Sequence, residues 1–230
     1  MRRAAAAGLA CATLAACANA APERPPARSP APSPGAATDT REPRAPAPPE
    51  RIVAYHESGA WERDITAIVE RARRFLAART TRRAAIVLDI DDTSLSSYAC
   101  LEAVGFDRER ARCAESGGLP AIPQTRELYR FARARGVTVF FITGRREQLR
   151  AATLANLRAA GYRGRLRVIM RPDRQPAAHK DGWKARERRA LSRRGHRIVV
   201  NLGDQHSDLD GGYALRTFKL PNPMYVIPEA

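Results

Sequence analysis

Past residue 50, apolar and polar positions alternate between helical periods and short unbroken runs. Ile65, Ile68, Val69, Ala72, Phe75 and Leu76 recur at helical spacing with charged residues between them. This pattern predicts an amphipathic helix over Trp61 to Arg79. Ala84 to Leu88 then forms a continuous apolar run, the mark of a strand buried on both faces. Pro123 to Ala134 reads as a second helix, ended by Gly136. Val137 to Ile142 is a second buried strand, and Arg146 to Ala160 a third helix. Leu166 to Met170 is a strand, Trp183 to Arg193 a helix stopped at Gly195, and Arg197 to Leu202 a further strand. Arg216 to Leu220 is the last strand, and 94–122 is an irregular insert too short for a large independent cap. Strands alternating with helices imply right-handed crossovers and an α/β fold around a mostly parallel sheet.

The strand ends carry polar chemistry. The first run stops at Asp89, Asp91 and Asp92, the second at Thr143-Gly144-Arg145, and the fourth at Gly203-Asp204-Gln205-His206-Ser207-Asp208. His179-Lys180-Asp181 lies in the polar loop after the third. Open parallel sheets bind ligands at the carboxyl ends of their strands. Several carboxylates gathered there repel one another unless protons or a cation relieve the charge. A hard divalent ion with oxygen ligands, Mg²⁺, fits such a set. Thr143, Gly144 and Lys180 are the candidate phosphate-binding groups, with backbone N–H groups at the following helix N-terminus as further donors.

Ahead of the domain, composition changes twice. Arg2 and Arg3 precede an apolar stretch from Ala4 to Ala16, too short for a permanent membrane span. It ends in Leu14-Ala15-Ala16-Cys17, which resembles a bacterial lipobox, so residues 1–17 read as a lipoprotein-type signal with Cys17 as the lipidated residue. Ala18-Asn19-Ala20 offers ordinary cleavage, and periplasmic or secreted soluble protein, as the alternative. Residues 18–50 read as a disordered Pro/Ala-rich linker, since ten of the seventeen prolines lie between 22 and 50. Such a chain buries too little apolar surface to offset its ordering entropy. The folded domain is then 51–230. Its size supports one core without disulfides. Cys100 and Cys113 share one connecting segment, where an exported compartment permits a disulfide; free thiols are the alternative.

The net charge is +16, and 37 of the 40 basic residues are Arg. That imbalance reads as GC-rich coding more than as a surface shaped for polyanions, so no specific nucleic-acid partner is expected. The positive field still favours anionic substrates.

Taken in order, VLDIDDTSLSSY, VTVFFITGR, HKDGWKARERRAL and HRIVVNLGDQHSDL resemble the haloacid dehalogenase (HAD) superfamily. They are most similar to secreted acid phosphatases of the class B/class C type, which include bacterial lipoproteins and plant enzymes. The resemblance covers roughly 55–220 and implies a Rossmann-like three-layer HAD fold with only a small cap. It implies an exported Mg²⁺-dependent phosphomonoesterase of broad specificity acting on small-molecule phosphomonoesters, nucleoside monophosphates among them. Asp89 matches the nucleophile, Asp91 the general acid and base, Thr143 the phosphoryl-holding hydroxyl and Lys180 the steadying cation, with Lys184 its rival. Asp89, the carbonyl of Asp91, and Asp204 match the metal ligands, and Asp208 a group that orients water or Lys180. Asp92 is expected to point away from the pair, as a solvated or helix-capping group. Tyr98, Trp183 and His206 are candidates for the leaving-group pocket, with packing or surface exposure the alternative for each, and Arg145 for a substrate contact or a surface ion pair. Two other readings stay open: a nucleic-acid end phosphatase, and a non-catalytic binding protein on a phosphatase scaffold.

Overall fold

The computed structural model describes residues 45–106, 113, 117–174 and 182–227. Five strands form one parallel sheet: β1 (Ala84–Leu88), β2 (Thr138–Arg146), β3 (Arg167–Arg171), β4 (Arg197–Gly203) and β5 (Arg216–Lys219), in the order β3-β2-β1-β4-β5. The chain fills the sheet outward from β1 in both directions. The order therefore reverses at β1, which opens a crevice at its carboxyl end.

The alternation of side chains along β1 explains the layers. Ile86 and Leu88 face one side, where they pack with Ile65, Val69 and Leu76 of α2 (Ala60–Ala77) and Leu128, Tyr129 and Ala132 of α4 (Pro123–Ala134). Ala85 and Val87 face the other, with Phe140, Ile142, Ile198, and Trp183 and Leu191 of α6 (Trp183–Arg193). With both faces covered, every residue of β1 is buried. The fold is thus α/β, a parallel sheet between two helical layers, as the apolar runs and helical periods require.

Three elements depart from the sequence expectation. Helix α1 (Pro49–Glu57) begins inside the stretch assigned to the linker, and Ala47 N–H donates to the carbonyl of Pro223 at 2.9 Å. Proline at the first helical position starts a helix well. Ile52 is its one buried residue, so the helix leaves almost no periodic signal. Strand β2 continues through Thr143-Gly144-Arg145 to Arg146, pairing with β3 across a register shift. A short 3₁₀ turn (Glu147–Leu149) follows, and α5 (Arg150–Ala159) starts four residues later than expected. Gly144 therefore meets the site as strand backbone, not as the N-terminus of a helix. Among the described residues, the insert after β1 holds α3 (Tyr98–Glu102), with Cys100 and Cys113 joined by a disulfide. Leu101 and Cys113 pack with Ile52 and Met224, so the insert, the first helix and the C-terminal segment share one small apolar cluster.

Candidate active site

Asp89 follows β1 directly, and its backbone is fixed on both sides. Its N–H donates to the carbonyl of Leu202 on β4 at 3.0 Å, and its carbonyl accepts from Ser94 Oγ at 2.6 Å. The carboxylate accepts from Lys184 Nζ, which also donates to Asp208 at 2.6 Å. Lys184 sits in the first turn of α6, one residue after Trp183, whose ring anchors that turn under the sheet. Lys180 lies outside the described residues; the lysine that meets Asp89 is its rival, Lys184.

Asp91 is turned toward β2. Arg145 Nη2 donates to it at 2.7 Å and Nε reaches both carboxylate oxygens at 3.2 Å. The guanidinium is itself buried and also donates to Thr153 Oγ1 at 3.3 Å. The ion pair expected for Arg145 at the surface is instead buried, and Arg145 also lines the cavity beside the carboxylates. Thr143 is buried beside it, and its hydroxyl accepts from Arg145 N–H at 3.1 Å.

Asp92 takes a left-handed backbone, φ 53°, and turns away from the pair. It is buried rather than solvated. It accepts from Ser97 N–H at 2.8 Å and Ser97 Oγ at 2.6 Å, at the start of α3, and from Tyr225 Oη at 2.5 Å. Burial, then the charge of Asp204, pushes its carboxyl up to about 7.

Asp204 and Asp208 enter from the end of β4. Asp204 accepts from Thr93 Oγ1 at 3.0 Å, Gln205 Nε2 at 2.8 Å and Asn222 Nδ2 at 2.7 Å. Asp208, in the short helix α7 (His206–Leu209), accepts from Gln205 N–H at 2.9 Å. A Cβ on Gly203 would stand 2.4 Å from Cβ of Asp208, so only glycine lets α7 fold back this far. Arg188, fully buried, fixes the far end of that turn by donating to the carbonyls of Asp208, Leu209, Asp210 and Gly212.

Oxygens of Asp89, Asp204 and Asp208, all buried, lie within 4.8 Å of one another. Burial first, and Asp208 second, raise the pKa of Asp89 well above the carboxylate range, with Lys184 opposing. The same two causes raise Asp204, against its hydrogen bonds from Asn222 and Gln205. Burial works against the Lys184 ammonium, yet Asp208 and Asp89 outweigh it and hold its pKa above the ordinary lysine value. One lysine thus faces three clustered carboxylates. This excess of buried oxygen charge suits a hard divalent cation.

The carboxylates open into a cavity of about 210 Å³. Asp89, Asp91, Asp204, Asp208, Lys184 and Gly144 line it, together with Arg145, Arg146, Leu149, Arg171, Trp183 and Ile227. Trp183 is therefore a pocket residue, as one sequence reading had it. Tyr98 stacks on His56 at 3.8 Å and is not among the lining residues, and His206 is exposed. The sequence reading missed Asn222, Gln205 and Tyr225. Asn222 and Tyr225 follow β5 in a proline-flanked tail with no periodicity to mark them.

The geometry agrees with comparison to known proteins. Residues 38–228 match the family described as HAD superfamily, subfamily IIIB (acid phosphatase). The chain belongs to that family. It is 37% identical over 148 residues to acid phosphatase 1 of Solanum lycopersicum, covering 61% of this chain and 58% of that protein. It is 33% identical over 150 residues to vegetative storage protein 1 of Arabidopsis thaliana, covering 62% and 55%. The chain thus spans somewhat over half the length of these curated relatives. Among solved structures, the class C acid phosphatase from Bacillus anthracis has the same fold, with a TM-score of 0.61 at 21% identity over 77% of this chain and 86% of that one.

Proposed function

We propose that this HAD family member is an exported, Mg²⁺-dependent acid phosphatase that hydrolyses phosphomonoesters through an aspartyl-phosphate on Asp89. The observation that carries this reading is the convergence of Asp89, Asp91, Lys184 and Asp204 on one cavity. Asp89 attacks phosphorus and the bond to the ester oxygen breaks. Asp91 gives its proton to the departing oxygen, then takes one from the water that attacks the phosphoryl group, which releases phosphate and restores Asp89. Lys184 holds Asp89 in line and offsets phosphoryl charge; Gly144 N–H would meet the phosphoryl oxygens, while Thr143, buried beside it, is not among the lining residues. Asp89, the carbonyl of Asp91, and Asp204 would hold Mg²⁺, which when bound shields the repulsion between Asp89 and the phosphate dianion. Asp208 serves as the partner that orients Lys184.

Nucleoside monophosphates and aryl phosphates are the proposed substrates, with Trp183 and Leu149 as an apolar wall for the leaving group. Cys17 is proposed as the lipid anchor; it and the rest of the signal lie outside the described residues. No helix among the described residues is long and apolar enough to cross a membrane. Mass spectrometry of the mature N-terminus distinguishes a lipidated Cys17 from an ordinary cleavage.

A phosphate-release screen over nucleotides, sugar phosphates and aryl phosphates, with and without EDTA, tests the activity. Release that EDTA abolishes and Mg²⁺ restores supports it. The similarity to vegetative storage protein 1 favours one other reading, a non-catalytic protein on this scaffold. Silence across the whole screen with Mg²⁺ present selects that one instead.

A further inference from the structure

The two edges of the sheet differ in charge. The carboxyl edge carries Asp89, Asp91, Asp204 and Asp208. The amino edge is entered by the connections from α2 to β1, α4 to β2, α5 to β3 and α6 to β4, residues 78–83, 135–137, 160–166 and 194–196. None of these contains an Asp or Glu. They present Arg82, Arg83, Arg135, Arg163, Arg165 and Arg194, all exposed and none in an ion pair among the described residues. Arg83 accepts at its carbonyl from Arg197 N–H at 3.0 Å, and its guanidinium lies so near Gly195 that a Cβ there would collide with Nη1. Burial first, then the charges of Arg167, Arg83 and Arg194, hold the His196 pKa below the ordinary imidazole value. Like charges from three strand entries therefore converge around one histidine. A coding bias multiplies arginine throughout a chain, but it does not clear carboxylates from one edge. Leu215 reaches the same edge, where its N–H donates to the carbonyl of Ile198 near the start of β4 at 2.9 Å. Leu215 and Tyr213 are two of the three large apolar side chains exposed among the described residues, while Ala214 between them packs inward.

We propose that the amino edge of the sheet is a docking face for a bilayer rich in anionic phospholipid, which holds the domain with its cavity turned away from the membrane. Guanidinium forks match the oxygens of lipid phosphates. An anionic surface attracts each basic side chain that comes within about a Debye length of it. The arginines are spread over four neighbouring strand entries, from β3 to β4, a width of about 14 Å at the usual strand spacing. A spread face suits a surface better than a single phosphate backbone, which a groove would follow. Leu215 and Tyr213 add apolar atoms beside the charge. A headgroup region covers such atoms, whereas nucleic-acid phosphates would leave them in water. The lipid anchor proposed on Cys17 would keep the domain near such a surface. The docking face itself needs no part of the phosphatase reading.

The test is co-sedimentation of the full chain with vesicles of phosphatidylcholine alone and of phosphatidylcholine with phosphatidylglycerol. The apolar stretch from Ala4 to Ala16 and any lipid on Cys17 are common to every variant, so the ratio of anionic to neutral binding isolates the charged face. The parent prefers the anionic vesicles, and added salt weakens that preference. Arg83→Gln, Arg135→Gln, Arg165→Gln and Arg194→Gln together lower the ratio by at least about tenfold. The same change at Arg51, Arg63, Arg71 and Arg74, exposed on α1 and α2, leaves most of it. Leu215→Asn weakens the binding that persists at high salt. Thermal melts followed by circular dichroism show that the variants are folded. Should the edge variant not fold, Arg83→Gln with Arg194→Gln, and Arg135→Gln with Arg165→Gln, each lower the ratio in part. No anionic preference in the parent, or equal ratios in the folded edge and control variants, overturns the face. If a single-stranded oligonucleotide binds the parent as tightly as the anionic vesicles, and Leu215→Asn alters neither, the bilayer assignment falls and the edge is a general polyanion surface.

Discussion

On the acidic side of the cavity, Asp89, Asp91, Asp204 and Asp208 are each gripped by side-chain or backbone donors. Lys184 links Asp89 to Asp208, Arg145 grips Asp91, and three donors from three segments converge on Asp204. Arg146 and Arg171, at the ends of β2 and β3, also line the cavity, and Arg146 is held through a neutral backbone carbonyl. The difference separates two kinds of work. Where like charges must be packed together, the fold supplies fixed donors to each one, because an unsatisfied buried carboxylate is costly. Arg146, at the end of β2, is instead positioned by a backbone carbonyl.

Substitutions on the two sides should therefore differ in kind as well as size. Asp89→Asn removes the nucleophile, and we expect phosphate release to fall at least about 10³-fold while the melting transition persists. Lys184→Met leaves Asp89 and Asp208 facing each other, and turnover should drop by about 10²–10³. Lys180→Met serves as its counterpart and should keep most of the activity. The reverse ranking in a steady-state assay would return the catalytic role to Lys180. Asn222→Ala touches neither substrate nor phosphorus. It should weaken Mg²⁺ binding by about 10–100-fold in calorimetry, as loss of a donor behind a metal ligand does.

The smallest effect expected is on stability. The folded pKa of Asp92, about 7, lies above its unfolded value. The native state therefore binds more protons than the unfolded state between those values, and stability falls as pH rises. That contribution is fully present below the unfolded pKa and is lost as pH rises through about 7. Metal-free protein should melt at lower temperature at pH 8 than at pH 5, and Asp92→Asn should flatten the slope. A melting temperature that rises across this range in parent and variant alike would remove Asp92 from the account.

The strands were legible because β1, β2 and β4 are buried on both faces, and continuous apolar runs leave little other choice. Asp89, Asp91, Asp204 and Asp208 were legible for a related reason: each follows an apolar run that ends abruptly. Lys184 was harder to read. It sits in a helix rich in basic residues, and only the packing of Trp183 under the sheet shows that Lys184 faces inward. Asn222 and Tyr225 lie in a tail without regular structure, where long-range contacts alone assign roles. Helix α1 escaped notice because it buries a single residue, and the late start of α5 because strand pairing with β3 outlasts the apolar run.

Rapid quench of the Mg²⁺-loaded protein with phenyl phosphate, followed by borohydride reduction and peptide mass spectrometry, tests the central claim most directly. Reduction of an aspartyl-phosphate yields homoserine, and the account predicts that mass change at Asp89 and nowhere else. Sustained phosphate release with the change at another carboxylate, or at none, would contradict it.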